Sequence, residues 1–211
     1  MSLTQSLLAF AAAAGLLTVT PGLDTALVLR VATIDGRQRA LEAGAGICCG
    51  LLIWGVLASV GLAALLAASQ QAYDLLRFAG AGYVVYLGLR CLMRLLRKPA
   101  PGAETAARST AQDGRWFLRG LLTNLLNPKV GVFYVAFLPQ FVPPDADAAI
   151  VCLVLAAIHA VEGLIWFWAL ASMAQSLGGW LRQERVRAWI GGVTGCVFIG
   201  FGVKLALQRG P

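Results

Sequence analysis

Charge is scarce in this chain: 13% of its 211 residues are Asp, Glu, Lys or Arg, where a soluble domain carries about 25%. A water-facing surface of ordinary size cannot be covered with so few ionic groups. There is one histidine, His159, and the five cysteines (Cys48, Cys49, Cys91, Cys152 and Cys196) form no CxxC pair. Zinc ribbons and His-rich metal centres are excluded by that count. The cysteines read as small packing residues, and neither a metal nor a cofactor is expected. No HExxH, GxSxG or paired intramembrane Asp is present, which leaves an intramembrane enzyme without its chemistry. Residues 1–23 have no charged side chain at all. A secretory signal would open on a basic stretch, so this segment reads as a retained first span.

What fills the chain instead is apolar: 59% of it is hydrophobic. Crossing the hydrocarbon of a bilayer takes about 20 such residues as a helix. Six segments meet that length, at residues 3–31, 43–69, 75–96, 117–141, 148–173 and 188–207. The expected fold is all-α and polytopic, with six transmembrane helices. One stretch, residues 97–115, is polar and rich in Ala, Pro, Gly and Thr, and is the only credible linker. It separates a first three-helix unit (1–96) from a second (116–211).

The net charge is +7. In a soluble protein this would raise nucleic acid as a partner, but here the basic residues flank apolar segments and suit lipid headgroups instead. Arg30, Arg37 and Arg39 follow segment one. Arg90, Arg94, Arg97, Lys98, Arg108, Arg115 and Arg119 surround the linker, and Arg182, Arg185 and Arg187 follow segment five. The even connections hold only acids. That asymmetry places the odd connections in the cytoplasm and both termini outside, with Lys204 and Arg209 as counter-indications. Trp116, Trp180 and Trp189 lie near segment ends, as interfacial aromatics do. Trp54, Tyr83, Tyr86, Phe133, Tyr134, Trp166 and Trp168 read mainly as packing or lipid-facing, with a few as candidates to line a cavity. Glycines 44, 46 and 50, and those of segment six, read as sites of close helix approach.

Segments one and four are interrupted at Thr20-Pro21-Gly22 and at Asn127-Pro128. Leu16-Leu17-Thr18-Val19-Thr20-Pro21 recurs loosely as Leu121-Leu122-Thr123-Asn124-Leu125-Leu126-Asn127-Pro128. With three spans per unit, the second unit is inverted relative to the first. Broken helices 1 and 4 at matching positions of inverted repeats point to a transport site near the midplane. A charge in hydrocarbon costs roughly 2.5–3.5 kcal/mol on insertion scales, so each ionisable residue there needs a reason. Asp24 follows the first break, where Thr20 is expected to cap and Pro21 to begin the new helix. It complements a positive helix end, or carries a proton, or meets a substrate ammonium. Lys129 follows the second break, behind the candidate cap Asn127. It pairs with Asp24 or meets a substrate carboxylate. His159 and Glu162, at i and i+3, share a helix face. They relay protons or meet substrate, bind a metal, for which one His and one Glu are too few ligands, or simply hydrogen-bond each other.

Four stretches carry a resemblance to a known family: Thr20-Pro21-Gly22-Leu23-Asp24; Gly44-Ala45-Gly46 with Gly50; Gly80 through Gly88, ending near Arg94; and Gly120 through Lys129 with Phe133 and Phe137-Leu138-Pro139-Gln140-Phe141. The chain resembles the lysine exporter (LysE/RhtB) family over nearly its whole length. It departs at Leu23, where the family's box has a second proline. The resemblance implies a multi-pass exporter of amino acids or close derivatives in a bacterial inner membrane, driven by ion exchange with protons as the coupling ion. The alternative is a divalent-metal or other small-solute exporter of the same architecture. Homo-oligomerisation is left open.

Overall fold

A computed structural model of the chain describes residues 2–68, 115–143, 145–174 and 183–207, with residues 78, 81–82, 85–86, 88–89 and 92–93 between them. All regular structure among the described residues is helical. In chain order the elements are α1 (Leu3–Val19), α2 (Leu23–Ile34), α3 (Arg37–Ala68), α4 (Trp116–Leu125), α5 (Pro128–Val132), a π-helical turn (Phe133–Phe137), a 3-10 turn (Leu138–Phe141), α6 (Ala148–Ser172) and α7 (Glu184–Leu207). Most of the expected third span and of the linker at 97–115 lies outside the described residues, as do Cys91 and Trp180.

The expected interruptions are present as bends. The axes of α1 and α2 differ by 51°, and those of α4 and the run from Pro128 to Phe141 also differ by 51°. Both α3 and α6 are long and apolar enough to cross a bilayer alone, and each bent pair, taken together, is long and apolar enough for one further span. Leu8 (68% exposed), Val60 (66%) and Ile165 (65%) point outward from three of these spans, a surface that water would not tolerate and lipid does.

The first break differs in detail from its sequence reading. Thr20 does not cap α2: its hydroxyl donates back to the Leu16 carbonyl, which also accepts the Thr20 amide, the local back-bond by which a threonine competes with capping. Gly22 is the N-cap, with no side-chain hydrogen bond, and α2 begins at Leu23. Pro21 therefore lies between the helices rather than at a first helical position. The second break follows expectation. Asn127 accepts from the Lys129 amide at 3.1 Å, and Pro128 opens α5. The connection after α2 is only Asp35-Gly36. Gly36 has φ of 98°, so Arg37 and Arg39 start α3 instead of sitting in a loop.

Helix α3 is the centre of the assembly and packs most extensively on α6 and α4. A Cβ on Gly46 would collide with the Phe117 carbonyl of α4, and one on Gly120 with the Ala43 carbonyl of α3. The two backbones meet here without side chains between them. Further along, Gly44 makes room for Phe167 of α6 and Gly55 for Ala156. The expected packing role of this glycine stripe is thus realised. Gly88 and Gly195 face each other in the same way, which brings the third apolar segment against α7. Trp116, expected at an interface, is buried at 6% exposure. The Arg119 guanidinium lies 4.7 Å over its ring, so the burial of the ring is combined with a cation–π contact. Trp189 is exposed, in keeping with its expected place.

We predict that Gly46→Ala destabilises the protein by about 1–3 kcal/mol, since the clash is with backbone that cannot rotate away. Gly61→Ala on the same helix, where nothing lies within 4 Å of the added carbon, raises stability by up to ~1 kcal/mol through helix propensity. Thermal unfolding of both variants in detergent measures the contrast.

Candidate functional site

The two bends meet. Asp24, in the first turn of α2, accepts a 2.9 Å hydrogen bond at Oδ2 from Asn124 Nδ2, at the end of α4. Asn124 is wholly buried, and its amide fits only because Gly50 faces it: an added Cβ there would lie 2.5 Å from Asn124 Oδ1. The Asn127 amide flanks the same carboxylate, and the charge of Lys129 acts on it.

Lys129 reaches in the other direction. Its Nζ donates to the main-chain carbonyls of Leu17 (2.8 Å) and Thr20 (3.2 Å), at the C-terminal end of α1. The positive N-terminal end of α5 is an unfavourable place for a lysine, but the negative end of α1 lies within reach of its side chain. The ammonium also lies close over Gly22, 3.6 Å from where a Cβ would stand. One break thus contributes the donor groups of Asn124 and Lys129, and the other the acceptors.

His159 of α6 is fully engaged. Tyr134 Oη is 3.2 Å from its Nδ1, and Thr18 Oγ1 of α1 is 3.1 Å from its Nε2. The π-helical turn aims Tyr134 inward, as such insertions often re-aim a functional side chain. The Tyr134 ring stacks on the imidazole at 5.7 Å and 16°. The proposed His159–Glu162 pair is therefore not formed, since both ring nitrogens serve other partners. The Glu162 carboxylate instead lies against Gly15 of α1, and its buried Oε2 has no hydrogen-bond partner.

A cavity of about 30 Å³ opens between these groups, room for about two waters. Its polar lining is Thr18, Thr20, Asp24, Thr25, Asn127, Lys129 and His159, and its apolar lining includes Leu17, Ile47, Leu51, Val130 and Phe167. Of the residues singled out from sequence, Asp24, Asn127, Lys129, His159, Thr20 and Gly22 gather here. Pro21 and Pro128 shape the breaks without lining the cavity, and Glu162 stands apart from it. Three contributors were not singled out in the sequence: Asn124, Thr18 and the lining residue Thr25. The signal for Asn124 was a neutral amide inside an apolar helix three residues before a capping Asn. Thr18 and Thr25 had none, because a threonine in an apolar span is ordinary, and Tyr134 was named only among the aromatics, without a partner.

Comparison with known proteins decides the family. The sequence pattern of LysE type translocators matches residues 16–209. The chain belongs to the LysE type translocator family. It is a multi-pass membrane protein and a transporter rather than an enzyme. The threonine efflux protein of Escherichia coli K12 is 32% identical to it over 191 residues, covering 90% of this chain and 92% of the relative. The homoserine/homoserine lactone efflux protein of Salmonella typhimurium is 31% identical over 197 residues, 92% of each. A membrane protein of Bacillus subtilis, YrhP, is 28% identical over 209 residues, 97% of this chain and all of the relative. No solved structure matches significantly.

In this translocator, Asn124→Ala removes the one direct donor to Asp24 Oδ2 and leaves a buried carboxylate oxygen unmet, at a cost of about 1–3 kcal/mol. We expect transport to fall at least tenfold while the amount of protein in the membrane stays within twofold. Export assays normalised to immunoblots check this, and undiminished export by Asn124→Ala would remove the contact from the working site.

Proposed function

We propose that this translocator exports small amino acids or their close derivatives from the cytoplasm across the bacterial inner membrane, in exchange for protons. The observation that carries the reading is the meeting of two broken helices around a buried cavity that holds one carboxylate and one ammonium. A zwitterion needs that pair of opposite charges. The relatives named for threonine, homoserine and homoserine lactone efflux support the substrate class, for all three solutes bear one primary amine.

The architecture we infer is six spans in two inverted units, 1–96 and 116–211, joined by residues 97–115. The matched 51° bends and the approach of the third segment to α7 support it. A cavity with room for about two waters is too small for an amino acid. Substrate entry then requires the two bent segments to part, one unit rocking on the other. In this scheme Asp24 holds the substrate's ammonium on the way out and a proton on the way back. Because the two compete for one carboxylate, each weakens the other by the same factor, and that reciprocity couples the fluxes. Lys129 holds the carboxylate, while the carbonyls of Leu17 and Thr20 hold the lysine when the site is empty. The His159–Tyr134–Thr18 chain keeps the Thr18 hydroxyl oriented.

The test is a dipeptide-feeding screen in a strain stripped of its own exporters, in which intracellular peptidases load the cell with each amino acid in turn. Cells making this chain are expected to release one or a few small amino acids faster than cells without it. Asp24→Asn is expected to abolish that release, and Lys129→Gln to reduce it at least tenfold, with normal protein levels in both. Full release by Asp24→Asn would defeat the proposed mechanism.

A further inference from the structure

We infer that the site recognises its ligand through a primary ammonium and can dispense with the carboxylate, so that its ligands include small amines such as amino alcohols and amino-acid amides. This rests on the exporter reading above and narrows what the cavity requires.

The two charged groups of the cavity are in unlike states. Lys129 Nζ already donates to two main-chain carbonyls, at 2.8 and 3.2 Å. These are strong acceptors, fixed at the negative end of α1 and partly buried. A ligand carboxylate must draw the ammonium away from them, exchanging one set of charge-assisted hydrogen bonds for another. Such an exchange gives little net affinity. Asp24 is the reverse case. Its Oδ2 is held by Asn124, while its Oδ1 is buried with no hydrogen-bond partner. A buried carboxylate oxygen without a donor is the costly arrangement, and a ligand N–H placed there removes the cost without breaking any existing bond. Asp24 lines the cavity together with the apolar side chains of Leu17, Ile47, Leu51 and Phe167. Those side chains suit a short aliphatic substituent, and Lys129 is the one cation among the lining residues.

The asymmetry ranks ligands. A molecule that keeps the ammonium and loses the carboxylate should retain most of its binding. One that keeps the carboxylate and loses the ammonium charge should lose nearly all of it, because it meets Asp24 with no donor cation and must still displace Lys129 from its carbonyls.

The experiment measures ligand-induced thermal shifts of the purified full-length chain in detergent, with L-threonine, L-threoninol and N-acetyl-L-threonine. Threonine and threoninol are expected to raise the unfolding midpoint by similar amounts, with apparent affinities within about tenfold, and N-acetylthreonine not to raise it at any concentration up to a hundredfold higher. Asp24→Asn is expected to abolish both shifts. Lys129→Gln is expected to weaken threonine more than threoninol, a split that a folding defect would not produce. A shift with N-acetylthreonine as large as that with threonine overturns the inference, and so does the absence of any shift with threoninol. The export screen separates the two readings. A chain that exports amino acids but does not bind threoninol is still an amino-acid exporter with a different recognition rule. A chain that binds threoninol and exports no amino acid is an amine translocator.

Discussion

The structure depends on a crosswise pairing of two interrupted helices inside lipid. Interrupting a helix in hydrocarbon strands main-chain carbonyls and amides that no water can satisfy, each at a cost of several kcal/mol. Here each break contributes to satisfying the other. Lys129, just past the second, donates to the carbonyls of Leu17 and Thr20 at the end of α1. Asn124, just before the second, donates to Asp24 just past the first. Neither break would be tolerable alone with these residues. Lys129 would be a cation beside a positive helix end, and Asp24 an anion with no side-chain donor. The charge cost of the site and the backbone cost of the bends therefore offset each other, and the polar cavity is what remains at their meeting point.

Helix α3 makes that meeting possible. Its glycines form a smooth track on which α4 and α6 lie close, and the removal of side chains at Gly46 and Gly120 brings two backbones into direct contact. Without a hydrophobic force between helices in a bilayer, such close packing is a main source of association. Gly50, one turn beyond Gly46 on the same face, leaves the space that the Asn124 amide fills. The same stripe that holds the bundle together thus also sets the depth at which the donor to Asp24 stands.

Much of this was legible in the sequence, for identifiable reasons. Spans follow from length and hydropathy, and breaks follow from proline, because its missing N–H and fixed φ act locally. The cap at Asn127 and the helix start at Pro128 could be read, since capping is a matter of three residues, but the carbonyls that Lys129 reaches could not. Thr20-Pro21-Gly22 misled, because a threonine before a proline can cap forwards or bond backwards, and here its hydroxyl joins its own amide on the Leu16 carbonyl. The His159–Glu162 pair misled for a related reason. Spacing places two residues on one face, but partners from other helices decide what each of them meets, and Tyr134 and Thr18 arrive from 25 and 141 positions away. Asn124 was visible as an oddity but not as a ligand of Asp24, which is 100 residues distant. Contacts of that kind exist only once the bundle is assembled.

The rings beyond the second break have a mechanical meaning. Phe10 of α1 packs against Phe133 at 5.6 Å and Phe141 at 5.4 Å, and Phe137 touches both of those rings at 5.0 and 5.1 Å. This seam lies seven residues before Leu17 on α1, about 10 Å along the helix axis. Aromatic contacts keep much of their attraction when rings slide or tilt, whereas a hydrogen bond is lost within an ångström of displacement. Two rods joined by a slippery bearing at one place and by brittle latches at another open at the latches and turn on the bearing.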